Sequence, residues 1–206
     1  MAGMLRRRPG AKVPRPRAEI MRSESSVFFT FFAGVMLVQG VHVIEHIIQL
    51  IQVFILDVPE DDALGLLGYV YQFKGTEEFL HLGFNATYLL ALFLLVVPLK
   101  RRSPYPVPIW AFTTFAIGAV VVESWHMVEH VVIISHALQN NGCPCPGILD
   151  AATGIPDTVL HFFYNAITYG AVVVPFWFVI HNDQHRLQVA RPPERSPLPP
   201  RRTPHA

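Results

Sequence analysis

Two short stretches carry the chemistry of this chain: His42-Val43-Ile44-Glu45-His46 and His126-Met127-Val128-Glu129-His130. On a helix of 3.6 residues per turn, positions i, i+3 and i+4 share one face. Each stretch therefore projects two imidazoles and a carboxylate together. A third imidazole follows each, in Leu80-His81-Leu82-Gly83-Phe84-Asn85 and Leu160-His161-Phe162-Phe163-Tyr164-Asn165. Imidazole with carboxylate suits a transition metal such as Zn, Fe or Cu. The candidate ligands are His42, Glu45, His46, His81, His126, Glu129, His130 and His161, enough for one ion per half or a dinuclear pair. Gln39, Asn85, Glu123 and Asn165 lie about a turn away on the same faces, and are candidates to bond the remaining ring nitrogens.

Other readings explain less. A polar network that only fixes packing needs few groups, since interhelical polar bonds average below about 1 kcal/mol. Haem b, held by axial histidines on facing helices, is the main alternative cofactor. It leaves two histidines and a glutamate on one turn unexplained. A proton or cation path meets apolar runs at 89–97 and 171–180. His-x-x-Glu-His also matches the inverzincin peptidase motif, but here it occurs twice and inside apolar segments. Cys143 and Cys145, the only cysteines, have no counterpart in the first half. Their thiolates suit Cu(I) or Zn capture. A bridge across one residue would be strained and redox-labile.

The elements that must position these groups are apolar. Of 206 residues, 51% are hydrophobic and 15% charged, with mean hydropathy +0.36. A soluble domain carries about 25% charge. Four apolar segments, 26–56, 78–99, 107–139 and 157–180, match or exceed the roughly 20 residues that cross a bilayer. The longer first and third must tilt or project. The expected fold is all-α, an integral membrane four-helix bundle over 26–182. It is flanked by a basic tail at 1–25 and a Pro/Arg-rich tail at 183–206. The run after the basic start is about twice the length of a signal peptide's apolar core, so a retained first span is expected.

Lys and Arg set the orientation. Seven precede the first segment, Lys100, Arg101 and Arg102 separate the second and third, and five follow the fourth; only Lys74 lies on the other side. The positive-inside rule places both termini in the cytoplasm, with a bacterial plasma membrane as the expected location. The bilayer and a metal ion are the expected partners, and no nucleic acid is expected.

The halves repeat. Val41–Ile48 aligns with Trp125–Val132 at an offset of 84, and Leu80–Ala86 with Leu160–Ala166 at an offset of 80. Between them, Gly65-Leu66-Leu67-Gly68 is the candidate match of Gly147-Ile148-Leu149-Asp150. Repeat A (26–99) and repeat B (107–180) are then two hairpins of one orientation, related by a pseudo-two-fold along the membrane normal. At 1.5 Å per residue, His42 and His46 lie about 24 and 30 Å along the first helix, and His126 and His130 about 27 and 33 Å along the third. His81 and His161 fall about 6–8 Å into the returning helices. All six converge near the extracytoplasmic side. The functional expectation is metal binding there, for metal handling or redox chemistry.

Overall fold

A computed structural model describes residues 17–71, 77–102, 105–140 and 146–189. Cys143, Cys145, Lys74, the first 16 residues and those from 190 onward lie outside the described residues. The described chain is helical, with no strand. Four helices are long and apolar enough to cross a membrane, at Ser25–Phe54, Phe79–Arg101, Ile109–Gln139 and Asp157–Asn182.

In chain order, α1 (Arg17–Phe54) leads through a 3-10 turn at Glu60–Asp62 to a short α2 (Gly65–Tyr71). Next comes α3 (Glu77–Arg101). The third crossing is continuous: α4 (Ile109–Thr114), a π-helical stretch (Phe115–Val121) and α5 (Val122–Gln139). A short α6 (Ile148–Thr153) precedes α7 (Asp157–Val189). α1 packs on α7 and α3, and α5 packs on α3 and α7, so the four crossings close a ring. The short helices α2 and α6 sit at one end, against α1 and α5 respectively. This is called the lid end below.

The bundle has two different interiors. Away from the lid, the core is apolar: Phe32, Leu92, Leu95, Phe115 and Val172 have no exposed surface. Toward the lid it is polar: Gln39, Asn85, Glu123, His126, Asn165 and Thr168 are equally buried. The outer faces are apolar throughout. Leu37, Ile44, Leu90, Leu94, Ile117, Val121 and Trp177 are each more than half exposed, a surface that fits contact with lipid.

The π-helical stretch links the two interiors. Ala111, Phe115, Ala119 and Glu123 recur every four residues, and all four are fully buried. In an α-helix such a row drifts about 40° per step. The wider i→i+5 turn removes most of that drift, so Glu123 stays in line with the core. Gly118 lets α7 close on this stretch, because a Cβ there would lie 2.7 Å from the Ala171 Cβ.

A matched pair of substitutions tests this packing. Alanine normally gains about 1 kcal/mol over glycine inside a helix. At Gly34 an added Cβ meets nothing within 4 Å, so Gly34→Ala should be neutral or stabilising. Gly118→Ala should instead cost about 1–3 kcal/mol through overpacking. Thermal melting in detergent should rank the two in that order; equal melting points would refute the close approach of α7.

Candidate metal centre

All six predicted histidines enter one cluster at the lid end. Four of them, one from each crossing, form a closed ring. Centroids are 5.6 Å apart for His46–His81, 5.9 Å for His81–His130, 4.6 Å for His130–His161 and 6.0 Å for His161–His46. His42 and His126 lie one turn deeper, 4.6 Å from His46 and 4.7 Å from His130. Flat partners pack on their rings: Phe84 on His42 at 4.1 Å and Tyr164 on His126 at 4.9 Å. A planar macrocycle placed between such close rings would have to part the helices.

The nitrogens are also aligned. Nε2 of His42 and His46 stand 3.2 Å apart, and Nε2 of His126 and His130 stand 3.1 Å apart. Two imidazoles on one tetrahedral ion, with bonds near 2.0–2.1 Å, place their nitrogens roughly 3.3 Å apart. The i, i+4 spacing therefore sets both pairs close to chelating distance. His161 completes one set: His126, His130 and His161 are buried and offer nitrogens within 4.8 Å of one another, so this trio could hold a metal ion.

His161 is held by a residue that the sequence reading passed over. Its Nδ1 lies 2.9 Å from the Asp157 carboxylate and 2.9 Å from the Asp157 carbonyl oxygen. Nδ1–H therefore donates, and Nε2 keeps its lone pair. This is the carboxylate–histidine arrangement that orients metal ligands. The signal was present as Asp-x-x-x-His at the start of a helix, and the repeat offset of 80 puts Glu77 four residues before His81.

The two motif glutamates reach toward the lid. Glu45 Oε2 accepts the Leu66 N–H at 3.0 Å. Glu129 accepts the N–H groups of Ile148 at 2.6 Å and Leu149 at 3.1 Å. Each carboxylate thus satisfies orphan donors in the first turn of a lid helix. Glycine is needed in front of both. A Cβ on Gly147 would lie 2.5 Å from Glu129 Oε2. Gly65 has φ +66°, and a Cβ there would collide with the Glu45 carboxylate.

The residues expected to bond the ring nitrogens mostly bond elsewhere. Gln39 Nε2 donates to Asn165 Oδ1 at 2.8 Å, and Asn165 Nδ2 donates to the His161 carbonyl at 2.9 Å. Neither Asn85 side-chain polar atom has a hydrogen-bond partner among the described residues. Glu123 comes closest, with Oε2 3.6 Å from His126 Nδ1, beyond hydrogen-bonding range. A turn of helix separates each group from the nearest histidine and puts it beneath the rings rather than beside them.

The mouth is acidic. Glu60 Oε1 accepts both the Thr158 N–H at 2.7 Å and the Thr158 hydroxyl at 2.6 Å, which ties the first loop to the start of α7. Burial, then the charges of Asp157, Glu60 and Glu129, push the Asp150 carboxyl up from its ordinary value. Such a field concentrates cations at an opening. No protein-family model, curated protein sequence or solved structure matches the chain.

Two outcomes follow. Glu129→Ala should cost about 1–3 kcal/mol, the penalty of stranding charge-bonded amides, and should speed hydrogen exchange at Ile148 and Leu149 selectively. Asp150→Asn removes a group whose charged form is disfavoured in the fold. It should stabilise the protein above the ordinary carboxylate range, and the gain should disappear as acid protonates the wild-type group. Melting curves across pH would show this; a gain that persists in acid would refute the repulsion.

Proposed function

We propose that this chain is an integral membrane protein that binds a transition-metal ion, or a pair of ions, within its histidine cluster. The observation that carries this reading is the His126, His130 and His161 trio, with Asp157 on the far nitrogen of His161. Three imidazoles leave one position of a tetrahedral ion open, as in sites that exchange a ligand or do chemistry. Zn, Fe and Cu all accept such donors. The ion would supply Lewis-acid or redox capacity, so metal handling or redox chemistry is the proposed role.

His42, His46 and His81 form the second set. Their rings are spaced 4.6–5.6 Å apart, against 4.6–5.0 Å in the first trio. We take the two sets as the halves of a duplicated hairpin related by a pseudo-two-fold along the membrane normal. Support comes from the matched contacts: a glutamate on lid amides behind a glycine in each half, and Phe84 or Tyr164 stacked on a histidine in each. In this reading Glu45 and Glu129 shape the lid.

The Lys and Arg distribution orients the molecule, with both termini cytoplasmic and the cluster near the outer surface of a plasma membrane. The apolar core beneath the polar layers then closes the cytoplasmic route. Ions arrive through the acidic mouth and leave the same way. That favours binding or chemistry over passage.

Elemental analysis of the detergent-purified chain should find a stoichiometric transition metal, and His130→Ala or His161→Ala should abolish it. Asp157→Asn should weaken binding about 10–100-fold, the usual cost of losing such a partner, and Asp157→Glu should recover part of it. Protons compete for the same nitrogens, so metal retention should fall on acidification. Metal content that is unchanged in the histidine variants would overturn the assignment.

A further inference from the structure

Beneath the histidines lies a layer that the metal reading leaves unused. Seven residues inward from His46, His130 and His161, two helical turns or about 10 Å, stand Gln39, Glu123 and Thr168. Asn85 lies one turn inward from His81. All four are fully buried.

The orientation of Gln39 is fixed by its neighbours. Asn165 Nδ2 donates to the His161 carbonyl, so Asn165 Oδ1 is the acceptor that remains. Gln39 Nε2 donates to it at 2.8 Å, and also approaches the Thr168 hydroxyl at 3.5 Å. Among the described residues the Gln39 carbonyl oxygen is then left without a hydrogen-bond partner. Asn85 Oδ1 and both Glu123 oxygens are in the same state. Native structures hydrogen-bond most buried polar atoms, and a cluster of exceptions needs an explanation.

Charge narrows what could satisfy them. The basic group nearest Glu123 is His126 Nδ1, at 3.6 Å from Oε2 and beyond hydrogen-bonding range; a buried carboxylate without a bonded partner costs several kcal/mol. No Lys or Arg lies within 25–54, 79–99, 109–139 or 157–182 to neutralise it. Beside the unsatisfied Tyr88 hydroxyl and Asn85 Nδ2, this layer holds four unsatisfied acceptor oxygens, on Gln39, Asn85 and Glu123, and such oxygens suit hard cations rather than the metals that prefer nitrogen or sulfur. One carboxylate balances one positive charge. Ca²⁺ takes 6–8 oxygens, and Mg²⁺ keeps several of its waters; either would also leave excess charge in an apolar bundle.

We propose that Glu123, Asn85 and Gln39 form a second site, built of oxygen donors, that holds a monovalent hard cation of the Na⁺ class beneath the histidine cluster. This does not rest on a metal being bound above. The site lies between the polar and apolar interiors, where the π-helical stretch hands over to α5.

The test uses the full chain in detergent, stripped of transition metal with a chelator. Melting is measured in NaCl, LiCl, KCl and choline chloride at equal ionic strength. NaCl should raise the melting temperature by several degrees over choline chloride, with a saturable midpoint. Glu123→Gln should abolish the difference. Asn85→Ala and Gln39→Ala should each raise the half-saturating Na⁺ concentration by about tenfold, equivalent to about 1.4 kcal/mol. His130→Ala should lose the transition metal yet keep the Na⁺ response, which separates this site from the one above. Identical melting in all four salts would overturn the proposal and leave a protonated acid with water in this layer. Should Glu123→Gln fail to fold, an unchanged Na⁺ midpoint in the two amide variants would overturn it equally.

Discussion

Polar groups buried among apolar helices need partners, and in this bundle the imidazoles find one another. That constraint explains why the chemistry sits at one end. Each polar side chain in an apolar span carries a desolvation cost that neighbours must offset. Gathering the imidazoles into one layer lets each ring meet another ring or an aromatic face. Scattered along the spans, the same six rings would each need a separate partner in surroundings that offer few.

The acids divide the remaining work by position. Glu45 and Glu129 hold down the lid helices, Glu60 anchors the first loop to the start of α7, and Asp157 orients His161. Helices as short as α2 and α6 are marginal alone, so their place over the cluster depends on those carboxylates. A motif that reads as a ligand set is therefore also a fastening. The histidines face inward while the glutamate between them reaches the segment that covers them. Positive charge arriving at the rings would be stabilised by the same carboxylates that shape the opening.

Much of this could be read from the sequence, and the failures have physical causes. Span length and hydropathy marked four crossings because a bilayer fixes both. Helical periodicity grouped the histidines because i and i+4 share a face. Asp157 was missed although it is local to His161, since an acid opening a helix reads first as an N-terminal charge. The glutamate-to-lid bonds were not legible, because backbone amides leave no signature in side-chain spacing. The π-helical stretch was invisible for another reason. It lies where Gly118 meets Ala171, a tertiary contact that side-chain spacing along one helix does not reveal. The Glu60–Thr158 contact spans 98 residues and needs the finished fold.

Both histidine sets are tied down by acids and lid amides, and they differ in how closely their rings stand. His161 has Asp157 on its far nitrogen, at the head of a helix that Glu60 also caps. Glu129 accepts from the consecutive lid amides of Ile148 and Leu149, and Glu45 accepts from Leu66 beside the Gln52 carbonyl oxygen, which accepts the Gly65 N–H at 2.8 Å. The second half also reaches its returning helix through a shorter loop, by about four residues. At the level of the rings, His130 and His161 stand 4.6 Å apart, against 5.6 Å for His46 and His81. Preorganisation of this kind lowers the cost of gathering ligands before an ion is bound.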